Sequence, residues 1–402
     1  MNPSTQKKTL YLAFLINLIS IGGFMMVIPL GADLVKSIHF NPAHIGYLAG
    51  GAALFSAISC FLFANKLDSY NRKPLITLLL TARAICLLIC GLSQTPLMLM
   101  VFFVLTGLFS GPAAAVVSAM VIDITEPKNR GKAMAFLGSA VSIAAIIIVP
   151  FTLQISYYAS WQINFFIFAA LGGSLALLAW CMLPDLTQHL NKQSKPPSLW
   201  STLFNTVPAK AALIVTFLQV FSHFLIITNF ANFFQFNLSF PRELMGLLYL
   251  AGGVTSLLIL RITGKLFDHG WRHQLHLISS AFIIGCLFMT YIATTNNINL
   301  LFILFAAFMS ASTVRYSVSG GIMSMIPKPQ QRAGFMSILT MMTNLATGIA
   351  GFVASWLLTT NAQYQLIAMD KVAYLSIFCI SLSVLILWRF ANVDKLMTQQ
   401  TA

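Results

Sequence analysis

The stretch 97–122 reads LMLMVFFVLTGLFSGPAAAVVSAMVI, twenty-six residues without one ionisable side chain. A helix rises 1.5 Å per residue, so a run of about 20 apolar residues crosses the roughly 30 Å hydrocarbon core of a bilayer. This run is long enough to do so. Reading outward from it, eleven more runs of the same kind appear, at 10–31, 43–65, 75–94, 132–156, 161–183, 208–236, 244–267, 273–294, 298–326, 333–359 and 372–393. Numbered in chain order, with 97–122 as span 4, they predict twelve transmembrane helices. The loops between them are mostly short, so consecutive helices are antiparallel neighbours. The first run reads as a retained span and not a cleavable leader, because it is too long, lacks a small-residue cleavage site and contains Gly22 and Gly23.

Composition agrees. Apolar residues make up 58% of the 402-residue chain and charged residues only 8%, against roughly 25% charged in a soluble domain. Too little polar surface exists to cover a water-facing globule. The net charge of +14 does not mark a nucleic-acid binder, because the cations sit in short loops between apolar runs and not on one patch. With both termini on one side of an even number of spans, that side collects eighteen Lys and Arg residues and the other only Lys36, Arg242 and Lys371. The positive-inside rule then predicts cytoplasmic termini and, for the whole protein, the cell (inner) membrane. Cys60, Cys86, Cys90, Cys181, Cys286 and Cys379 all fall within apolar runs and read as small packing residues.

The loops carry an internal repeat. Ala64-Asn-Lys-Leu-Asp68-Ser-Tyr-Asn-Arg72-Lys73 between spans 2 and 3 is echoed 200 residues later by Gly264-Lys-Leu-Phe-Asp268-His-Gly-Trp-Arg272. Pro127-Lys-Asn-Arg130 with Met134 is echoed 202 residues later by Pro329-Gln-Gln-Arg332 with Met336. The fold expected is all-α, with twelve transmembrane helices in two pseudo-symmetric six-helix halves. The halves are residues 1–183 and 208–402, joined by a cytoplasmic linker at 184–207 whose segment Ser198–Phe204 reads as a short interfacial helix or an extended tether.

At these loops the chain resembles the major facilitator superfamily, whose loop signature is G-x-x-x-D-R-x-G-R-[RK]. Asp68, Arg72 and Lys73 match it in the first copy, and Gly264, Asp268 and Arg272 in the second. Asp123, at the inner end of span 4, matches the family's acidic partner for the loop arginine, and Trp161 opens span 6 in the family's manner. The layout is similar to the drug/metabolite:proton antiporter branch. Two departures stand out: Phe103 occupies the place of that branch's usual span 4 arginine, and its span 5 signature survives only as Pro150.

The resemblance implies a cytoplasmic gate formed by Asp68, Arg72, Asp123, Asp268 and Arg272. In it Asp68 would meet the N-terminus of span 11, and the gate would hold the outward-open state. A helix N-terminus stabilises an exposed carboxylate by about 0.3–1 kcal/mol. The competing reading is that these charges set topology and loop structure only. The resemblance also implies that spans 1, 4, 7 and 10 line a central cavity.

Ionisable groups at bilayer depth cost roughly 2.5–3.5 kcal/mol on insertion scales, so each asks for an explanation. Arg83, His223 and Arg315 are the three mid-span cases, and none of the nine acids is mid-span. A central carboxylate relay is therefore absent. Arg315 with Tyr316 offers a planar fork of donors to an anionic or carbonyl group; the alternative is an arginine satisfied by helix carbonyls, or one that snorkels to the interface. Gln219 and His223 are four apart and share a helix face. His223 reads either as a proton carrier or as a neutral packing histidine, and Arg83, on a span usually peripheral in the family, as structural. Asn17, Asn229 and Asn232 are cavity or helix-tying candidates.

No Walker loop and no metal-ligand cluster appears. The expectation is a non-enzymatic secondary transporter, without cofactor or metal, that moves a small organic compound by alternating access. Efflux is expected, with protons as the candidate coupling ion. Its partners are the small-molecule substrate and the lipid bilayer, no nucleic acid is expected, and the protein is a monomer. Uptake of an organic anion or metabolite, and a non-transporting receptor-like protein, are the alternatives.

Overall fold

The structure, a computed structural model, describes residues 3–67, 70–126, 129–183, 207–326 and 332–400. Asp68, residues 184–206 of the expected linker with its Ser198–Phe204 segment, and Pro329 of the second loop motif lie outside these residues. Among the described residues twelve helices are long and apolar enough to cross a membrane. The chain divides into two compact units, Met1–Ser194 and Lys195–Ala402. In the first, spans 1 to 6 are Gln6–Ile38, Pro42–Phe63, Arg72–Gly91, Pro96–Ile124, Phe136–Tyr158 and Trp161–Met182. In the second, spans 7 to 12 are Pro208–Asn237, Arg242–Asp268, Arg272–Ile292, Ile298–Met323, Ile338–Leu357 and Met369–Arg389.

Short polar residues start several of these helices. Asn71 accepts from Lys73 N at 3.1 Å to open span 3, Thr95 from Met98 N at 3.3 Å to open span 4, and Asn297 from Leu300 N at 3.2 Å to open span 10. Each satisfies an amide that the first helical turn leaves unbonded. Pro96 sits just inside span 4, where its missing N–H costs nothing. Span 5 widens into a π-turn at Ala144–Ile148, immediately before the residues around Pro150. A proline cannot donate to the carbonyl one turn back, and a π-turn is a common local adjustment to such a break.

The two units share one neighbour order. In the first, span 2 packs on span 4, span 4 on span 3, span 3 on span 6, span 6 on span 1 and span 1 on span 5. In the second the order is 8, 10, 9, 12, 7, 11. Adding six to each member of the first series gives the second. The repeat seen in the loops is thus a repeat of packing.

Between helices in lipid there is little hydrophobic drive, so close approach depends on small residues. Gly107 and Gly111, one turn apart on span 4, face span 2. A Cβ at Gly107 would fall on the Ala52 carbonyl, and one at Gly111 would lie 2.6 Å from Ser56 Oγ. Bulky apolar residues such as Leu97, Leu177, Ile303 and Phe378 are instead exposed, as a lipid-facing surface requires.

One element was not expected from the sequence. Between spans 11 and 12, β1 (Thr359–Thr360) pairs antiparallel with β2 (Leu366–Ile367). Asn237, at the end of span 7, fastens this hairpin by donating to Leu366 O and accepting from Leu366 N, both at 2.9 Å.

Candidate functional site

The loop charges sit at helix ends. Arg72 is the first residue of the span 3 helix and Asp123 the penultimate residue of the span 4 helix. The structure brings them together: Arg72 Nε donates to Asp123 Oδ2 at 2.8 Å. Arg72 is almost fully buried, while the Asp123 side chain remains 34% exposed. A carboxylate at a helix C-terminus faces the negative end of the dipole, and the guanidinium offsets that repulsion.

The second copy is built differently. Asp268 is exposed, and among the described residues no hydrogen bond or ion pair joins it to Arg272. The Arg272 guanidinium lies over the Phe267 ring, 5.0 Å from its centroid. That ring packs on span 10 at Gly321, where a Cβ would come within 2.6 Å of it. At the position 202 residues after Asp123 stands Met325, so the acid of the first copy has no counterpart. A cation–π contact takes the place of the ion pair.

Arg315 is buried in the interior of the second unit, 2% exposed. Its Nη2 donates to Ser222 Oγ of span 7 at 3.3 Å and to Ser383 Oγ of span 12 at 3.4 Å. Tyr316 does not join it. Successive helical residues diverge by about 100°, and Tyr316 is 57% exposed. In this structure the two side chains therefore point in different directions. Gln219 is buried, with Oε1 unpartnered. His223 is half-buried and stacks on Phe308 at 5.5 Å with an interplanar angle of 6°. Asn17 Nδ2 donates to Leu137 O at 2.8 Å and so ties span 1 to span 5. Arg83 is buried, donates from Nη2 to Ser20 O at 2.9 Å and rests against Gly23 of span 1. Asn229 is fully buried in span 7.

Sequence reasoning missed His276. It is 1% exposed, in span 9, and adds a fully buried imidazole to the half-buried His223 of the same unit. It is the fourth residue of the apolar run 273–294 and so does not count among the mid-span groups. The spacing of three from His273 and four from Arg272, which stacks all three on one helix face, was the available signal. Asn164 was also missed; it is fully buried in span 6 and donates to Thr152 O at 3.1 Å and Ser156 Oγ at 2.7 Å of span 5.

Among the described residues no group of His, Cys, Asp or Glu is placed to hold a metal ion. Twelve spans in two like-ordered bundles, with charge kept to their ends and single cationic groups sealed inside, define a polytopic membrane transporter. Residues 10–314 match the family profile of the Major Facilitator Superfamily, and the chain belongs to that superfamily of secondary transporters, which are not enzymes. It is 22% identical over 368 residues to Multidrug resistance protein 1 of Bacillus subtilis (strain 168), covering 89% of this chain and 92% of that protein. To Multidrug resistance protein 2 of the same organism it is 29% identical over 143 residues, which span 35% of this chain and only 36% of that relative. A bacterial homolog of the human lysosomal transporter Spinster has the same fold, with a TM-score of 0.70 at 15% identity over 96% of this chain and 94% of that one.

Proposed function

We propose that the protein exports a small organic compound across the cell (inner) membrane by alternating access, with proton antiport as the coupling. The observation that carries the reading is the similarity, along 89% of the chain, to a protein named for multidrug resistance. The cationic loops, eighteen Lys and Arg against three, support cytoplasmic termini. Asp68, Arg72, Asp123, Asp268 and Arg272 are assigned to the cytoplasmic gate, with the Arg72–Asp123 pair as its fixed element. Arg315, Gln219 and His223 are the coupling or substrate-side groups. Asn17 and Tyr316 keep only a secondary claim, since one ties helices and the other is exposed. No acid lies mid-span, so a coupled proton would be carried by histidine, at His223 or His276.

The test is flux in inverted vesicles. An imposed interior-acid proton gradient should be dissipated when an exported compound is added outside, and Asp68→Asn should abolish the response while expression persists. Uptake predicts the opposite gradient dependence. A receptor-like protein predicts no substrate-dependent flux at all.

A further inference from the structure

A cleft of about 290 Å³ opens at one end of the second unit, lined by Ala211 and Val215 of span 7, Arg272 and His273 of span 9, Met323 of span 10 and Leu387 of span 12. All four spans continue inward from it. Arg315 and Ser222 each lie seven residues beyond a lining residue, which places them about 10 Å deeper at 1.5 Å per residue. Ser383 lies four residues, or about 6 Å, beyond Leu387. The hydrogen bonds from Arg315 to Ser222 and Ser383 tie spans 7, 10 and 12 at that depth, and the part of the four spans between them and the cleft forms a column of side chains.

Buried polar atoms without a hydrogen-bond partner stand on the spans of this column. Arg272 Nε at its rim is buried without a hydrogen-bond partner, as are Gln219 Oε1, His276 Nε2, Ser280 Oγ, Ser319 Oγ and Arg315 Nε further in. Ser319 follows Arg315 by four residues, and Ser280 follows His276 by four, so each pair stands on one helix face. Buried polar atoms in folded proteins are nearly always partnered, by protein, water or ion.

Charge decides which. Over 208–223, 272–283, 312–326 and 376–389 the four spans carry Lys210, Arg272, Arg315, Arg389 and the histidines His223, His273 and His276, and no Asp or Glu. Both His223 and His276 lie within electrostatic reach of Arg315. The Arg315 bonds, at 3.3 and 3.4 Å, are long beside the 2.8 Å of the Arg72–Asp123 pair and go to neutral hydroxyls. Hydroxyls solvate a guanidinium but leave its charge uncancelled, and a buried charge is ordinarily paired.

We infer that this column is a binding site for a small monovalent anion of chloride size, which enters through the Arg272–His273 cleft and is held by Arg315 Nε with the Ser319 and Ser280 hydroxyls. The site belongs to the second unit alone; it shares Arg315 with the substrate-side groups assigned above, but its anion is read without any carried compound.

The experiment uses the purified full-length protein, exchanged into gluconate and titrated with sodium chloride at constant ionic strength while its melting temperature is followed. The melting temperature should rise saturably with chloride and not with gluconate. Ser319→Val and Arg272→Gln should each raise the half-saturating chloride concentration at least about tenfold, the effect of losing one contact worth about 1.4 kcal/mol. Arg315→Gln should remove the response. Because that variant loses two helix ties and can fail to fold, the first two decide. Equal melting in chloride and gluconate means the column holds water only, and overturns the inference. So does a chloride response that Ser319→Val and Arg272→Gln leave unchanged, since the anion then binds elsewhere. Vesicle flux is measured separately, so loss of the transport reading leaves this titration standing, and the reverse.

Discussion

Arg72 and Asp123 meet through a 2.8 Å contact from Nε to Oδ2 that joins the first residue of the span 3 helix to the last turn of span 4. Among the described residues no such pair occurs 200 residues on, where Arg272 lies over Phe267 and Met325 stands in the acid's place. The duplicated packing order therefore carries an unduplicated charge pattern. The first loop holds an ion pair, and the second a cation resting on a ring.

Asp123→Asn should lower stability by about 1–3 kcal/mol, the range for a hydrogen bond to a charged group, and toward the lower end because the carboxylate is partly exposed. Arg72→Lys should not restore a wild-type value, since an ammonium has no Nε to occupy the same position. A double-mutant cycle read from melting in detergent checks this. Additive effects of the two changes would mean that the pair contributes nothing to the fold.

Gly107→Ala should be poorly tolerated. Its methyl group would land on the Ala52 carbonyl, a backbone atom that cannot rotate away. Overpacking of this kind costs about 1–3 kcal/mol. Gly173→Ala is the control, because a Cβ there meets nothing within 4 Å. Monodisperse yield in size-exclusion chromatography should fall for the first and hold for the second.

Asn237 both donates to and accepts from Leu366. Asn237→Ala should cost about 1–2 kcal/mol. Asn237→Asp should be no better, because a carboxylate still accepts from Leu366 N but presents lone pairs to Leu366 O. Protease cleavage within 359–367 should be faster in both variants. Unchanged cleavage would show that the hairpin needs no such clasp.

Cysteine placed at Asn71, or at Gln331 outside the described residues, should react with an impermeant thiol reagent only from the cytoplasmic side. The exposed Cys181 is replaced first to remove its background. Labelling of intact cells from outside would invert the topology.

If Arg315 meets an anionic group of the carried compound, Arg315→Lys should weaken binding of an anionic ligand about ten- to 150-fold, the equivalent of roughly 1.5–3 kcal/mol. A neutral analogue should lose much less. Equal losses for the two ligands would assign Arg315 to holding spans 7, 10 and 12 together.

The twelve spans were legible because membrane insertion is read from composition over about 20 residues, a local quantity. The repeat was legible because polar loop residues such as Asp68, Asp268, Arg72 and Arg272 stand out between apolar runs. Side-chain direction inside the bundle was not. Arg315 and Tyr316 are adjacent in a helix that is apolar all round, and nothing in 298–326 marks which face is buried. His276 was hidden for the same reason, its burial depending on where spans 10 and 12 pass.

By itself, then, the sequence determined that the chain spans a membrane twelve times, in two related halves with cationic loops, because each of these follows from hydropathy and charge along the chain. Tertiary structure decided that Arg72 pairs with Asp123, that Gly107 lets span 4 touch span 2, and that Arg315 points into its own unit. Those depend on helix neighbours far apart in sequence, and in lipid the neighbours are chosen by close packing and buried polar contacts, which hydropathy does not record.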